Sequence, residues 1–127
     1  MRTTLLHLAA GALLFGAGLL IGQRTAAPRK TLLHVFAFKA VEGATPQRLD
    51  DLWSATRKLA SQEPAIQNIW MGKIVRHQRD WQYAVVMEFE NEAGHKKYEA
   101  GPAHAEWLKT YSQIRAEPTF TLDLQGQ

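Results

Sequence analysis

The first clear β pattern in the chain is TLLHVFAFKA, residues 31–40. β-Branched and aromatic residues are frequent in it, which predicts a strand. Alternate positions form two faces, and both are largely apolar: Leu32, His34, Phe36 and Phe38 on one, Leu33, Val35, Ala37 and Lys39 on the other. We therefore expect this strand to be covered on both sides.

The segment after this strand has the signals of a helix followed by a second strand. Thr45 is a favourable N-cap, and Pro46 suits the first helical position. An apolar stripe at helical spacing follows, and Pro64 is expected to end the helix. A strand is predicted over 66–77, with Gly72 marking a bulge or a close backbone approach.

The second half of the chain supplies the remaining elements. Apolar residues alternate over 81–90, which predicts a third strand. Asn91 is expected to cap a second helix, which Gly101 and Pro102 interrupt before the helical pattern resumes. Pro118 precedes a last predicted strand over 119–124. The order β-α-β-β-α-β predicts an α+β fold of the ferredoxin-like type.

One face of such a sheet is left without helices. Phe120, Leu122 and Leu124 share one face of the last predicted strand. An exposed apolar patch on a domain of about 97 residues promotes aggregation unless a second copy covers it. The sequence therefore predicts a homodimer.

The N-terminal segment has a separate character. Residues 5–22 contain no charged side chain and follow a basic start at Arg2, a pattern typical of a secretory signal or a signal anchor. We predict a signal anchor or signal peptide over 1–23, a linker over 24–30 and the folded domain over 31–127. The expected location is membrane-anchored through this hydrophobic helix, or exported if the segment is cleaved.

The charge balance argues against a nucleic-acid partner. The formal net charge is +3, but four of the 15 basic residues (Arg2, Arg24, Arg29 and Lys30) precede the predicted domain. The other 11 face all 12 acidic residues, which gives the domain a charge near −1 and no footprint for phosphate backbones. The chain has no cysteine, which excludes disulfides, thiolate metal sites and cysteine nucleophiles.

Three segments resemble a known family in order and spacing: HVFAFK at 34–39, VMEFE at 86–90 and YEAGPAH at 98–104. They are similar to the stress-responsive dimeric α/β barrel (Dabb) family, and the resemblance extends over 32–124. One departure is Gly101, where the family often has a histidine before the proline.

The resemblance implies a dimeric α/β barrel with a hydrophobic cleft between sheet and helices in each subunit. A plant branch of the family cyclises linear polyketides by aldol condensation, using a tyrosine and a histidine placed like Tyr98 and His104. A histidine matching His34 lines the same pocket. More distant proteins of this architecture include cofactor-independent monooxygenases and haem-degrading enzymes, so the fold alone does not choose an activity.

The candidate site follows from this resemblance. His104 is the predicted catalytic base, and Tyr98 is its predicted partner. The residues predicted to bind ligand are His34, Phe36, Phe38, Trp53 and Trp107. Core packing is the alternative for each of them, because aromatic residues pack well and an interior histidine is usually hydrogen-bonded. His77 and His95 lie among polar residues and are expected to be solvated.

No metal or cofactor is predicted, since the sequence has no phosphate loop, dinucleotide fingerprint or histidine spacing such as H-x-x-x-H. The residues leave three functions open. The first is a homodimer that binds a small apolar or aromatic ligand in the cleft. The second is a cofactor-independent enzyme, cyclase-like or monooxygenase-like, that uses His104 and Tyr98. The third is a membrane-tethered dimerisation module without a ligand.

Overall fold

A computed structural model describes residues 30–76 and 79–126. The elements follow in the order β1 (Leu32–Ala40), α1 (Pro46–Gln62), β2 (Ile66–Lys73), β3 (Tyr83–Phe89), α2 (Glu92–Glu99), α3 (Pro102–Ile114) and β4 (Arg115–Gln125). This is the ferredoxin-like β-α-β-β-α-β order, with the second helical region divided into two helices. The predicted fold class is confirmed.

The four strands form one antiparallel sheet in the order β2-β3-β1-β4. The first strand of the chain is thus central, between β3 and β4. In this register His34 lies opposite Met87 of β3 on one side and opposite Asp123 of β4 on the other. The pairing brings together residues that are 89 positions apart in the sequence.

The helix starts follow the predicted capping residues. The side chain of Thr45 accepts a hydrogen bond from the backbone N–H of Arg48 at 3.4 Å. Asn91 caps α2 by accepting from the N–H of Gly94 at 2.9 Å. Each oxygen satisfies a backbone donor that has no partner within its own helix.

Three details of the strands differ from the sequence-based expectation. The last strand begins at Arg115, before Pro118, because its first residues pair with the end of β1, where Ala40 lies opposite Arg115. The second strand ends at Lys73 instead of reaching residue 77. Gly72 pairs regularly with Ala84, and a Cβ placed on it meets nothing within 4 Å. The irregularity of β2 lies between Ile66 and Asn68, where the register shifts.

Both helical regions pack on one face of the sheet. The core between them contains Phe36, Phe38, Val85, Met87, Phe89, Leu52, Leu59, Tyr98, Trp107, Tyr111 and Ile114. The opposite face, here called the back face, carries Val35 and Val86 at its centre and exposes Trp70, Phe120, Leu122 and Leu124. Within one chain the helices cover only one face of β1, so the expected cover of its other face stays a prediction that depends on a second copy.

The predicted N-terminal segment over 1–23 lies outside the described residues, as does the linker over 24–30 except for Lys30. Among residues 30–76 and 79–126, no helix is long and apolar enough to cross a membrane.

Candidate functional site

The structure brings five of the seven predicted site residues together and separates two. His34 and Phe36 on β1 face Tyr98 on α2 and His104 and Trp107 on α3.

Phe38 is fully buried further along the first strand, where its ring lies 6.3 Å from Trp53 and 5.6 Å from Tyr83. Trp53 also packs on Tyr83, with a centroid distance of 6.0 Å. These two predicted ligand-binding residues therefore form a separate aromatic contact in the core, away from the histidines.

The residues that meet form a closed sequence of aromatic side chains, here called the ring cluster. It consists of His34, His95, Tyr98, His104, Trp107 and Phe36. Successive ring centroids are separated by 4.6 Å (His34–His95), 6.1 Å (His95–Tyr98), 4.6 Å (Tyr98–His104), 6.0 Å (His104–Trp107), 5.6 Å (Trp107–Phe36) and 5.6 Å (Phe36–His34). The cluster lies where the resemblance places the cleft between sheet and helices.

The tautomer of His104 follows from its hydrogen bond. Its Nδ1 lies 3.1 Å from the backbone oxygen of Glu99. A carbonyl oxygen only accepts, so Nδ1 carries the proton and donates it. The neutral ring then has its lone pair on Nε2, which is the form that a general base needs.

Tyr98 supplies a neutral hydroxyl beside this histidine. Its side chain is 1% exposed and packs on Phe89 with a centroid distance of 5.1 Å. Burial raises the pKa of Tyr98 strongly, and the nearby charges of Glu99 and Glu63 raise it further. The phenol is therefore protonated across the physiological range, and its hydroxyl carries a hydrogen that it could donate.

Trp107 is held in place by a buried hydrogen-bond chain. Its indole Nε1–H donates to Thr56 Oγ1 at 3.0 Å, and the Thr56 hydroxyl donates to the backbone oxygen of Leu52 at 2.8 Å. Thr56 itself is fully buried on α1. The chain fixes the indole between the two layers of the domain and leaves its face for contact with Phe36.

His95 is the residue that the sequence-based interpretation placed wrongly. It was expected to be solvated, but it is 4% exposed and its ring lies 4.9 Å from Phe89. Burial lowers its pKa, the nearby His34 lowers it further, and the charges of Glu99 and Asp123 oppose the shift. One signal was available: His95 precedes Tyr98 by three positions, so both lie on one face of the helix. His77, the other histidine expected to be solvated, lies outside the described residues.

Asp123 is a second residue near the site that the sequence-based interpretation missed. Its Oδ1 accepts a hydrogen bond from Nδ1 of His34 at 2.6 Å, across the β1–β4 pairing. The predicted alternation of Phe120, Leu122 and Leu124 already indicated that Asp123 points to the opposite face of the strand.

A cleft opens beside these polar side chains. Its volume is about 300 Å³, and its lining residues are Leu32, Glu92, His95, Lys96, Glu99, Asp123 and Gln125. The aromatic members of the ring cluster pack closely on one another, so the open volume lies at the polar edge next to His95 and Asp123. A ligand that reaches the cluster through this cleft meets carboxylates and imidazole before it meets the apolar rings.

The fold and the cluster together define a ferredoxin-like α+β domain with a histidine-rich interior between its layers. The model of the Stress responsive A/B Barrel Domain family (Dabb) matches residues 32–123. The chain belongs to this family. A comparison with curated proteins finds none that matches.

Solved structures share the fold at low sequence identity. A dimeric ferredoxin-like protein of unknown function from Thermobifida fusca is 19% identical, with 80% of this chain and 96% of that chain covered and a TM-score of 0.67. The hydroxynitrile lyase from Passiflora edulis is 13% identical, with 79% and 96% covered and a TM-score of 0.71. A Dabb family protein from Mesorhizobium loti is 14% identical, with 75% and 95% covered and a TM-score of 0.66.

Proposed function

We propose that the domain binds a small, largely apolar ligand where the cleft meets the ring cluster. The observation that carries this proposal is the composition of the cluster. Three of the five histidines of the chain and Tyr98 converge between the sheet and the helices. Packing alone is better served by aliphatic side chains, because burying a polar ring costs free energy, most of all for His95, whose Nε2 has no hydrogen-bond partner among the described residues. Apolar walls with a few convergent polar groups are typical of small-molecule sites.

The proposed functional unit is a homodimer joined through the back face. Phe120, Leu122 and Leu124 on β4 and Trp70 on β2 expose apolar surface there. A second copy is the natural cover for such a patch, since the patch is otherwise prone to aggregation. The similar proteins from Thermobifida fusca, Bacteroides fragilis and Jannaschia are described as dimeric.

Native mass spectrometry of the full-length chain tests the binding proposal. Wild type, His104→Ala and Lys109→Ala are compared after gentle purification in mild detergent. Lys109 is the matched control, because it lies on the same helix as His104 with its side chain in solvent. We expect a dimer that carries a discrete small molecule in wild type and in Lys109→Ala, with the molecule lost or reduced in His104→Ala. A ligand-free dimer that binds nothing from a panel of aromatic and polyketide-like acids would instead support the dimerisation module.

A second candidate is a cofactor-independent enzyme, and the tautomer of His104 favours it. With its Nδ1 proton engaged by the carbonyl of Glu99, Nε2 of His104 is free to take a proton from a carbon next to a carbonyl group. The Tyr98 hydroxyl would donate to the oxygen on which negative charge develops. The hydroxynitrile lyase from Passiflora edulis is an enzyme on this same fold.

Enzyme and binder are separated by comparing turnover with affinity. For the enzyme, His104→Ala lowers the turnover of a bound carbonyl compound by about 10²–10⁴-fold and leaves its affinity nearly intact. Tyr98→Phe lowers turnover by about 10²–10³-fold. For a binder without activity, no turnover is found, and His104→Ala changes affinity instead.

Attachment to a membrane through residues 1–23 stays part of the proposal. It rests on the uncharged run over 5–22 and the basic residues on either side. Cell fractionation of the full-length chain, with and without alkaline carbonate washing, tests it. Recovery in the soluble fraction with an intact N-terminus would contradict an anchor.

A further inference from the structure

Three side chains that the sequence separates widely meet at the edge of the ring cluster. His34 comes from β1, His95 from α2 and Asp123 from β4, and their ligand atoms all lie within 4.8 Å of one another. Nδ1 of His34 is 2.6 Å from Asp123 Oδ1, and Nδ1 of His95 is 3.9 Å from Asp123 Oδ2. These three residues are called the His–His–Asp cluster below.

Hydrogen bonding does not account for the burial of His95. The 3.9 Å from its Nδ1 to Asp123 is too long for a hydrogen bond. Its Nε2 is buried and has no hydrogen-bond partner among the described residues, with Glu99 Oε1 at 3.7 Å. A polar side chain that is 96% buried normally satisfies its hydrogen-bonding atoms. Neither ring nitrogen of His95 therefore has a hydrogen bond among the described residues; an ion could bind Nδ1, and Nε2 would then keep its proton and face Glu99.

We propose that the His–His–Asp cluster binds one divalent first-row transition-metal ion, for which Zn²⁺ is the probe. Two imidazole nitrogens and one carboxylate are ligands that such ions accept, and three protein ligands leave at least one position open. Metal–ligand distances of about 2.0–2.2 Å require ligand atoms about 3.3 Å apart. The 2.6 Å contact between His34 and Asp123 must open by less than 1 Å, and the widest separation among the three ligand atoms, at most 4.8 Å, must close by up to about 1.5 Å.

The surroundings of the cluster fit this role. With the ion on Nδ1 of His95, the proton on Nε2 points to Glu99, and a carboxylate is the usual outer partner of a metal-bound histidine. Lys96 is paired with Glu92 at 2.7 Å, which partly neutralises the nearby cation. The 300 Å³ cleft reaches His95 and Asp123 and provides the path for entry.

The sequence-based prediction of no metal rested on local spacing, and no local motif contains a set drawn from three elements. Binding needs the two imidazoles neutral and displaces the proton that His34 shares with Asp123, so metal uptake releases protons. The metal and ligand proposals share His34 and His95, but metal binding needs neither His104 nor the apolar rings, so His104→Ala tests the ligand and enzyme proposals without removing a metal ligand.

Isothermal titration calorimetry of the full-length chain with Zn²⁺ tests the proposal. The protein carries no polyhistidine tag and is first dialysed against a chelator. We expect wild type to bind one Zn²⁺ per chain, and His95→Ala and Asp123→Asn each to weaken binding by at least about 100-fold. Glu99→Gln should weaken it by about 10-fold. His77→Ala, which removes a histidine outside the cluster, should bind as wild type does.

Thermal unfolding followed by circular dichroism shows whether a variant that fails to bind Zn²⁺ is still folded. Asp123 is half-exposed, so Asp123→Asn keeps its place in the sheet, and its circular dichroism without metal should match wild type. Zn²⁺ should then raise the unfolding midpoint of wild type and of His77→Ala but not of Asp123→Asn. Equal Zn²⁺ affinity in wild type and both cluster variants, or no binding by wild type, would overturn the proposal.

Discussion

The hydrogen bond between Trp107 and Thr56 makes a sharp prediction about what holds the ring cluster. Thr56→Val keeps the side-chain shape and removes the hydroxyl that accepts from the indole N–H. Leaving a buried donor unpaired costs about 1–3 kcal/mol. The added methyl group returns up to about 0.8 kcal/mol. The carbonyl of Leu52 loses the threonine hydroxyl but keeps its helical hydrogen bond. We expect a net loss of about 1–2 kcal/mol in the free energy of unfolding.

Urea denaturation of the full-length chain measures this loss, at one fixed protein concentration because a dimer unfolds in a concentration-dependent way. In thermal unfolding of a domain of about 100 residues, the same loss should lower the midpoint temperature by roughly 5–15 °C. Trp107→Phe provides the matched background, since phenylalanine has no N–H to leave unpaired. In that background Thr56→Val should be neutral or slightly stabilising, which gives a coupling energy of about 1–2 kcal/mol. An equal loss in both backgrounds would refute the reasoning, because the cost would then come from Thr56 alone.

Three further outcomes can be measured. Burial raises the pKa of Tyr111 to about 12, above the ordinary value of about 10 for tyrosine. Its contribution to stability is therefore complete below about pH 10 and is lost as the pH rises towards 12. Its hydroxyl has no hydrogen-bond partner among the described residues. Over that pH range, the free energy of unfolding measured in urea should therefore fall by roughly 1–2 kcal/mol less in Tyr111→Phe than in wild type. Parallel pH profiles of stability would contradict this. A Cβ on Gly101 would lie 3.1 Å from the backbone oxygen of Tyr98, so Gly101→Ala should cost about 1 kcal/mol and weaken ligand binding, whereas wild-type stability would show that the α2–α3 junction gives way. Leu122→Lys on the back face should yield monomers in light scattering, while Leu108→Lys on α3, at 38% exposure against 39%, should stay dimeric; dimers in both would locate the interface elsewhere.

Much of the fold could be predicted because its signals are local. Strand alternation, the N-caps Thr45 and Asn91, and the break at Gly101 each depend on a few neighbouring residues. The start of β4 at Arg115 depends instead on pairing with the end of β1, which overrides the local effect of Pro118. Cover over the second face of β1 likewise depends on assembly, since the helices of one chain cover only one face.

The site residues likewise separate into those that sequence patterns could identify and those that depend on how the elements pack. His34, Tyr98 and His104 were found through the family resemblance, and the structure brings them together. Phe38 was grouped with them because it shares a strand face with His34, and Trp53 because it is aromatic. Their positions along β1 and α1 separate both from the histidines. His95 was misplaced because its sequence neighbours are polar and its spacing from Tyr98 was not used; in the structure, α2 docks against β1 and β3 with the His95 side chain pointing inward.

The central position of β1 has a thermodynamic consequence. His34 and Val35 are adjacent in the chain but lie on opposite faces of the sheet, one at the ring cluster and the other on the back face. If the proposed ligand binds at the ring cluster, a shift of β1 that improves one contact moves the other, so ligand binding and self-association would share this strand. Linkage then requires that any effect of the ligand on dimerisation be matched by an equal effect of dimerisation on ligand affinity. The occupancy of the cluster would thus vary with the concentration of the protein itself.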